Sequence, residues 1–155
     1  MKKIDWKALI ISLLVSFGVA GLSAFLTSKN MDIYKDLVQP PLAPPGIVFP
    51  IVWSILYTLM GISAYMVYKS GGDKIGSALA VYGVQLVFNF FWSIIFFNIR
   101  NYLFAFIWLI ILIGLIAAMI IRFYDINKKA GLLQIPYLIW VLFAGYLNLA
   151  IFLLN

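Results

Sequence analysis

Residues 39–61, QPPLAPPGIVFPIVWSILYTLMG, join a proline-rich loop to an apolar segment that carries Phe49, Trp53 and Tyr57 at intervals of four. Side chains four residues apart lie on the same face of a helix. The segment therefore predicts a helix with one aromatic wall. Two later apolar segments each contain an asparagine, and we expect the aromatic wall and these amides to line a shared pocket.

The composition is that of a protein embedded in a membrane. Of the 155 residues, 65% are hydrophobic and 10% are charged, and the mean hydropathy is +1.08. An ordinary soluble domain is roughly 45–50% apolar and about 25% charged. The chain has no cysteine and no histidine, which excludes disulfides, thiol chemistry and histidine metal sites. We attribute the net charge of +6 to the topogenic excess of Lys and Arg in membrane proteins, not to nucleic-acid binding.

Five apolar segments are long enough to cross a bilayer, which requires about 20 residues per helix. Charged or turn-forming residues separate them, and one domain, residues 1–155, accommodates all five. The predicted fold is an all-α membrane protein, a bundle of five transmembrane helices. The predicted helices cover about residues 6–26, 47–68, 75–97, 102–121 and 132–154.

The first segment follows Met-Lys-Lys, so a signal peptide is the alternative interpretation. Its apolar stretch is longer than the 7–15 residues or so that are typical of a signal peptide. Ser16, Ala20 and Ala24 also form a row of small residues that suits close helix packing. We interpret the segment as a retained helix.

The distribution of Lys and Arg predicts the orientation of the bundle. Eight of these residues fall at the N-terminus and in the second and fourth connecting loops, whereas three fall in the first and third loops and none at the C-terminus. By the positive-inside rule, the N-terminus is cytoplasmic, and the first loop and the C-terminus are external.

The first loop, residues 27–45, is the one long connection between the predicted helices. Loops beyond about 12–15 residues are usually functional or disordered. This loop carries Tyr34, Leu37 and Val38 at helical spacing, followed by four prolines that restrict the backbone. We predict an ordered lid with a short amphipathic turn. A plain connector with a rigid entry into the second helix is the alternative.

Asn89 and Asn148 lie in the third and fifth apolar segments, where an unpaired amide costs several kcal/mol. Helical spacing places Asn89 on one face with Gln85 and Trp92, and Asn148 on one face with Trp140. Hydrogen bonds between membrane helices average only about 0.6 kcal/mol, which makes them weak devices for stability. We expect a ligand or water to contact Asn89, and a neighbouring helix to pair with Asn148.

The tryptophans divide into two groups. Indoles gather at membrane interfaces, which is our interpretation of Trp108. Trp53 and Trp140 lie one or two turns inside their helices, and Ala144, one turn from Trp140, leaves room for a guest. Aromatic walls with a few polar groups suit a flat hydrophobic ligand.

The interiors of the five segments contain no Asp, Glu, Lys, Arg or His. Ion-coupled pumps and channels normally carry such residues inside the membrane, so an ion-driven transporter is disfavoured. Without His or Cys there is no favoured axial ligand for haem iron. A metal-free macrocycle is easier to accommodate, and no metal site is predicted.

Three motifs, on three predicted helices and in order, resemble those of the TspO/translocator protein family, also called tryptophan-rich sensory proteins or peripheral benzodiazepine receptors. They are PPxxxFxxVWxxLYxxMG at residues 44–61, QLxxNxxWSxxFF at residues 85–97 and PYLxWxxxAxxLN at residues 136–148. The resemblance extends over nearly the whole chain. The charged loops favour a bacterial member, located in the bacterial cell membrane.

The resemblance implies a five-helix bundle, often a homodimer, that binds porphyrins such as protoporphyrin IX as ligand or substrate and requires no cofactor. It also implies binding of isoquinoline carboxamide and benzodiazepine drugs in a pocket under the first loop. The partners are then porphyrin, hydrophobic drug-like ligands, membrane lipid and a second copy, and not nucleic acid. Carried over residue by residue, the ligand-binding residues are Tyr34, Pro44, Phe49, Trp53, Tyr57, Asn89, Trp140, Ala144 and Leu147.

The resemblance also suggests roles for individual residues. Asn89 and Trp53 match the polar contacts to a ligand carbonyl. Trp53 and Trp140 match the tryptophans implicated in light- and oxygen-dependent porphyrin degradation, and they are the candidates for a catalytic role. Gly76 and Ala80, four apart on the third helix, suit a contact between two copies. A passive transporter of porphyrin or lipid-like molecules is an alternative function, and a regulatory scaffold is another.

Two departures from the family limit these expectations. Gln39 stands where a basic residue is common and Leu42 where an aromatic residue is common, which weakens a salt bridge from the loop to a porphyrin propionate. The cholesterol pattern has a Lys or Arg after a tyrosine of the last helix. No such residue follows Tyr146, so cholesterol binding is not predicted.

Overall fold

The structure, a computed structural model, describes residues 3–155. Met1 and Lys2, which belong to the predicted domain and to the charge count, lie outside the described residues. The described part is helical, and five of its helical segments are long and apolar enough to span a membrane. The predicted all-α bundle of five transmembrane helices is confirmed.

Seven α-helices and one π-helix make up these segments and the lid. The α-helices are α1 (Trp6–Thr27), α2 (Ile33–Asp36), α3 (Val48–Ser70), α4 (Ile75–Ser93), α5 (Tyr102–Ile126), α6 (Lys128–Leu133) and α7 (Ile135–Leu154). The π-helix, Ile94–Ile99, continues α4. The five spans are α1, α3, α4 with the π-helix, α5, and α6 with α7.

The boundary between α5 and α6 differs from the prediction. α5 continues to Ile126, past the predicted end at residue 121, because charged residues leave the hydrocarbon without stopping a helix. The break comes at Asn127, whose backbone is extended (φ −151°) and whose side-chain oxygen accepts a hydrogen bond from the Ala130 N–H to cap α6. The last span therefore begins at Lys128 and not at residue 132.

The spanning helices close into a ring. α3 packs on α1, α1 on α4, α4 on α5 and α5 on α7, while α6 contacts α3 and completes the circuit. Trp108 of α5, interpreted as an interfacial tryptophan, also joins two of these helices. Its N–H donates to the Phe88 carbonyl of α4 over 2.8 Å, and its ring stacks on Phe88 with centroids 4.3 Å apart.

α1 approaches α3 closely along part of the predicted row of small residues. The Ser12 hydroxyl donates to the Gly61 carbonyl over 2.6 Å, and the Ser16 hydroxyl donates to the Tyr57 carbonyl over 2.9 Å. A Cβ at Gly61 would lie 2.7 Å from Leu13 Cδ2 and 3.1 Å from Leu13 Cα. Glycine is therefore required at this crossing.

The first loop is an ordered lid, and the predicted short turn is confirmed as α2. Tyr34 and Leu37 pack against buried residues of the bundle, while Val38 is exposed. Asn155 holds the middle of the lid, because its side chain accepts a hydrogen bond from the Val38 N–H and donates one to the Val38 carbonyl, each 3.0 Å long. The Tyr146 hydroxyl of α7 donates to the Pro41 carbonyl over 2.7 Å. We call the hydrogen bonds of Asn155 and Tyr146 to the lid the lid latches, and both join the lid to the end of α7.

Gly61→Ala is expected to destabilise the protein by about 1–3 kcal/mol, the usual cost of overpacking. The added methyl group meets the α1 backbone at Leu13. Gly18→Ala is the matched control, because a Cβ there has nothing within 4 Å. Replacing glycine in a helix is otherwise favourable by about 1 kcal/mol. Thermal unfolding in detergent measures both variants, and equal stabilisation of the two would contradict the close crossing.

Candidate functional site

The aromatic wall predicted on α3 is present. Phe49, Trp53 and Tyr57 follow one another along the helix, and the rings of Trp53 and Tyr57 lie 5.6 Å apart. The Phe49 ring makes edge contacts with Tyr34 of the lid at 5.2 Å and with Trp140 of α7 at 5.8 Å. The wall therefore connects the lid to the last helix through aromatic contacts.

A cavity of about 570 Å³ opens between α1, α3, the α4 and π-helix segment, and α7. Pockets for small molecules usually measure about 300–1,000 Å³ and are mostly apolar with a few polar groups. α1 contributes small side chains, among them Ala20 and Ala24, so the predicted row of small residues borders the cavity beyond its contact with α3. The lid contributes Met31 and Tyr34.

Seven of the nine predicted ligand-binding residues line this cavity. They are Tyr34, Phe49, Trp53, Tyr57, Asn89, Ala144 and Leu147. Pro44 lies in the lid, and its carbonyl accepts a hydrogen bond from the Tyr34 hydroxyl over 3.3 Å, so its role is to position Tyr34. Partial burial raises the pKa of Tyr34, which keeps this hydroxyl protonated as a donor.

Trp140 is not among the residues that line the cavity. Its ring contacts Phe49, a residue of the cavity wall, with centroids 5.8 Å apart, and it also contacts Phe143 at 5.5 Å. Trp53, in contrast, lines the cavity directly and touches Tyr137 with ring centroids 6.2 Å apart. The two candidate catalytic tryptophans thus occupy different positions relative to a guest.

Asn89 is already hydrogen-bonded within the protein. The Tyr57 hydroxyl donates to Asn89 Oδ1 over 2.8 Å, and Asn89 Nδ2 donates to the Tyr137 hydroxyl over 2.7 Å. The premise that this amide lacks a partner within the protein is therefore wrong, because two phenols pair with it, whereas the expected contact with a ligand or water stays a prediction. An asparagine side chain has two N–H donors and two acceptor lone pairs, so one of each is still unused.

The hydrogen bonds continue away from the cavity. The Tyr137 hydroxyl donates to Gln85 Oε1 over 2.7 Å. We call Tyr57, Asn89, Tyr137 and Gln85 the polar chain. It crosses from α3 to α4 to α7 and back to α4, and all four residues are buried. The sequence placed Gln85 on the face of Asn89, but it gave no signal that two tyrosines of other helices would be the partners.

Asn148 is paired as predicted. Its Oδ1 accepts a hydrogen bond from the Trp92 N–H over 3.0 Å, and its Nδ2 donates to the Tyr102 carbonyl over 2.8 Å. These bonds join α7 to both α4 and the start of α5. Asn148 and Trp92 also border the cavity, so the pairing fixes part of its wall.

The π-helix was not predicted from the sequence. Both Phe96 and Phe97, which belong to this π-helix, line the cavity. Phe96 is 3% exposed and packs on Trp92 and Tyr102 with centroid distances of 5.5 and 5.0 Å. Single turns of π-helix within α-helices are frequent at functional sites.

Comparison with known proteins gives one consistent result. The profile of the TspO/MBR family matches residues 10–154. The tryptophan-rich protein TspO of Chlorobaculum tepidum is 36% identical over 99% of this chain and 98% of its own length. The tryptophan-rich sensory protein of Cereibacter sphaeroides is 34% identical over 97% of this chain and 93% of its own length. The translocator protein of Homo sapiens is 34% identical over 81% of this chain and 76% of its own length. This integral membrane protein belongs to the TspO/MBR family.

Proposed function

We propose that the chain binds porphyrins, with protoporphyrin IX as the representative ligand, in the cavity beneath the lid. The observation that carries the proposal is the cavity itself, about 570 Å³ in volume and bordered by aromatic side chains of three spanning segments and of the lid. Flat hydrophobic ligands gain most from such walls, because aromatic rings bury large areas and stack at defined separations. The same features suit isoquinoline carboxamide and benzodiazepine ligands.

The polar chain supports a second element of recognition. Asn89 borders the cavity and keeps one N–H and one acceptor lone pair beyond its bonds to the two tyrosines. A ligand carbonyl or ring nitrogen would use one of these groups without breaking the bonds between helices. Trp53, on the adjacent wall, supplies the ring face against which the ligand would lie.

The lid supports retention of a bound ligand. Its latches at Asn155 and Tyr146 must separate before a macrocycle can pass between the lid and α7. The lid latches are exposed to solvent, where a hydrogen bond contributes only about 0.5–1.5 kcal/mol. The lid is therefore held shut by interactions that thermal motion can break.

We further propose that the protein supports slow, light- and oxygen-dependent degradation of the bound porphyrin. Trp53 would donate an electron to the excited porphyrin, and molecular oxygen would be the oxidant consumed in the degradation. Trp53 borders the cavity, whereas Trp140 is not among the lining residues and contacts Phe49, which is. Trp53 is thus the first donor, and Trp140 is the more distant one.

Filling the cavity is expected to abolish tight binding. Ala144→Phe places a ring in the hollow, because Ala144 borders the cavity. The affinity for protoporphyrin IX should fall at least about tenfold, or about 1.4 kcal/mol. Quenching of tryptophan fluorescence on titration with protoporphyrin IX measures this affinity. Ile111→Phe, at an exposed position of α5 that does not border the cavity, is the control, and equal affinities of the two variants would contradict the assigned site.

Replacing the candidate donors should separate binding from degradation. Trp53→Phe combined with Trp140→Phe keeps aromatic walls, so binding is retained, whereas photodegradation slows about tenfold or more, a rise of about 1.4 kcal/mol in the barrier. Trp53→Phe alone should account for most of the effect. Loss of porphyrin absorbance under illumination in air measures the rate. Trp6→Phe is the control, since Trp6 is 64% exposed at the far end of α1. A double variant that degrades porphyrin at the wild-type rate would exclude the tryptophan role.

We also propose that two copies associate through the outer face of α4. Gly76 and Ala80 are exposed there, and a Cβ at Gly76 has nothing within 4 Å. Because the chain has no cysteine, Ala80→Cys creates a single thiol. Oxidation in bilayers should yield a cross-linked dimer of this variant but not of Ala64→Cys, which is 5% exposed. Monomers alone in both would argue against this interface.

A further inference from the structure

Besides Trp140, whose Nε1 is also unpaired, three buried side chains carry polar atoms without a partner among the described residues. They are Gln85, through Nε2, Tyr82, through its hydroxyl, and Gln134, through both Oε1 and Nε2. Gln85 and Gln134 are 0% exposed, and Tyr82 is 6% exposed. None of the three is among the residues that line the cavity.

The register of α4 and α7 places these groups together. The two helices are the third and fifth spans, so they run in the same direction. The bond between the Tyr137 hydroxyl and Gln85 Oε1 fixes one level at which they face each other. Tyr82 precedes Gln85 by three residues, and Gln134 precedes Tyr137 by three. Residues three apart share a helix face about one turn from each other, so Tyr82 and Gln134 face the same level, one turn further from the cavity.

The apolar surroundings make these unpaired atoms costly. An unsatisfied polar group in hydrocarbon costs several kcal/mol, and these three side chains carry four such atoms. A buried water is retained where two to four polar partners surround it. Gln85 Nε2 can only donate, Gln134 Oε1 can only accept, and the Tyr82 hydroxyl can do either. One water that accepts from Gln85 and Tyr82 and donates to Gln134 satisfies three of the four atoms, and a second water satisfies Gln134 Nε2.

We propose that Tyr82, Gln85 and Gln134 form a buried water site between α4 and α7, which extends the polar chain by one turn away from the ligand cavity. The ligand of this site is ordered water, and the site does not depend on what the cavity binds.

The water site also fixes the orientation of the Asn89 amide, which borders the cavity. The hydrogen bonds of the polar chain run in one sense, from the Tyr57 hydroxyl to Asn89, from Asn89 to Tyr137 and from Tyr137 to Gln85. That sense leaves Gln85 Nε2 as the final donor, and water is its acceptor. With the acceptor in place, the Gln85 amide keeps its orientation, so the Asn89 amide keeps its orientation as well. The water site thus acts as an anchor for the donor and acceptor that Asn89 offers to a guest.

The chain offers a direct test because it contains three glutamines, Gln39, Gln85 and Gln134. Protein labelled with ¹⁵N in the glutamine side-chain amides is placed in lipid bilayers, and solid-state NMR measures magnetisation transfer from water. Gln39 lies in the exposed lid and is the internal positive control. Transfer to all three amides is the expected result. Transfer to Gln39 alone would overturn the proposal, and it would mean that the buried groups pair directly with one another.

Two variants sharpen the test. Tyr82→Phe keeps the ring and removes one partner of the water to which Gln85 Nε2 donates, so the transfer to Gln85 should be lost or strongly reduced while that to Gln39 is unchanged. Ser63→Ala is the matched control, because the buried Ser63 hydroxyl already donates to the Ala130 carbonyl over 2.7 Å. It should leave all three transfers unchanged. Wild-type transfer to Gln85 in the Tyr82→Phe protein would contradict a shared site. The NMR measurement needs no porphyrin, so its result tests the water site independently of the proposed porphyrin binding.

Discussion

The pairing of buried polar groups in an apolar medium is the constraint on which this structure depends. Tyr57, Asn89, Tyr137 and Gln85 carry hydroxyl and amide groups into the middle of a bundle that lipid surrounds. Each would cost several kcal/mol if it were left unpaired. Linked in the polar chain, they hold α3, α4 and α7 at one level. Beyond that level, toward the lid, the same three helices are separated by aromatic side chains, and the cavity lies there.

α1 packs closely against α3 along one part of its length and borders the cavity along another. Near Gly61 its serines bond to carbonyls of α3, and the backbones approach closely. One to two turns further along, Ala20 and Ala24 border the hollow instead. Small residues allow either close contact or an empty volume, depending on whether the facing helix has small or large side chains. Trp53 of α3 borders the same hollow.

Much of the architecture follows from the sequence alone. Five apolar segments of sufficient length predict five spans, and intervals of four predict the wall of Phe49, Trp53 and Tyr57. The pairing of Asn148 also follows, because its position near the end of a helix brings it close to neighbouring backbone. These features are local, and local spacing determines them.

Other features depend on contacts between distant parts of the chain and could not be read from spacing. The phenols that pair Asn89 come from two other helices, 32 and 48 residues away in sequence. The absence of Trp140 from the cavity wall depends on the rotation of α7 relative to α3. The π-helix at the end of the third span has no signal in the spacing of its residues. Sequence spacing shows which residues share a face of a helix, but it does not show which residues of other helices contact that face.

The most direct test of the account compares wild type with Asn89→Leu, which keeps the side-chain volume and removes both polar atoms. Melting temperature and protoporphyrin IX titration are measured on the same samples. Loss of the central amide should leave Tyr57 and Tyr137 without their shared partner, so both the melting temperature and the affinity should fall. A variant that melts and binds like the wild type would contradict the claim that this amide holds the three helices around the cavity.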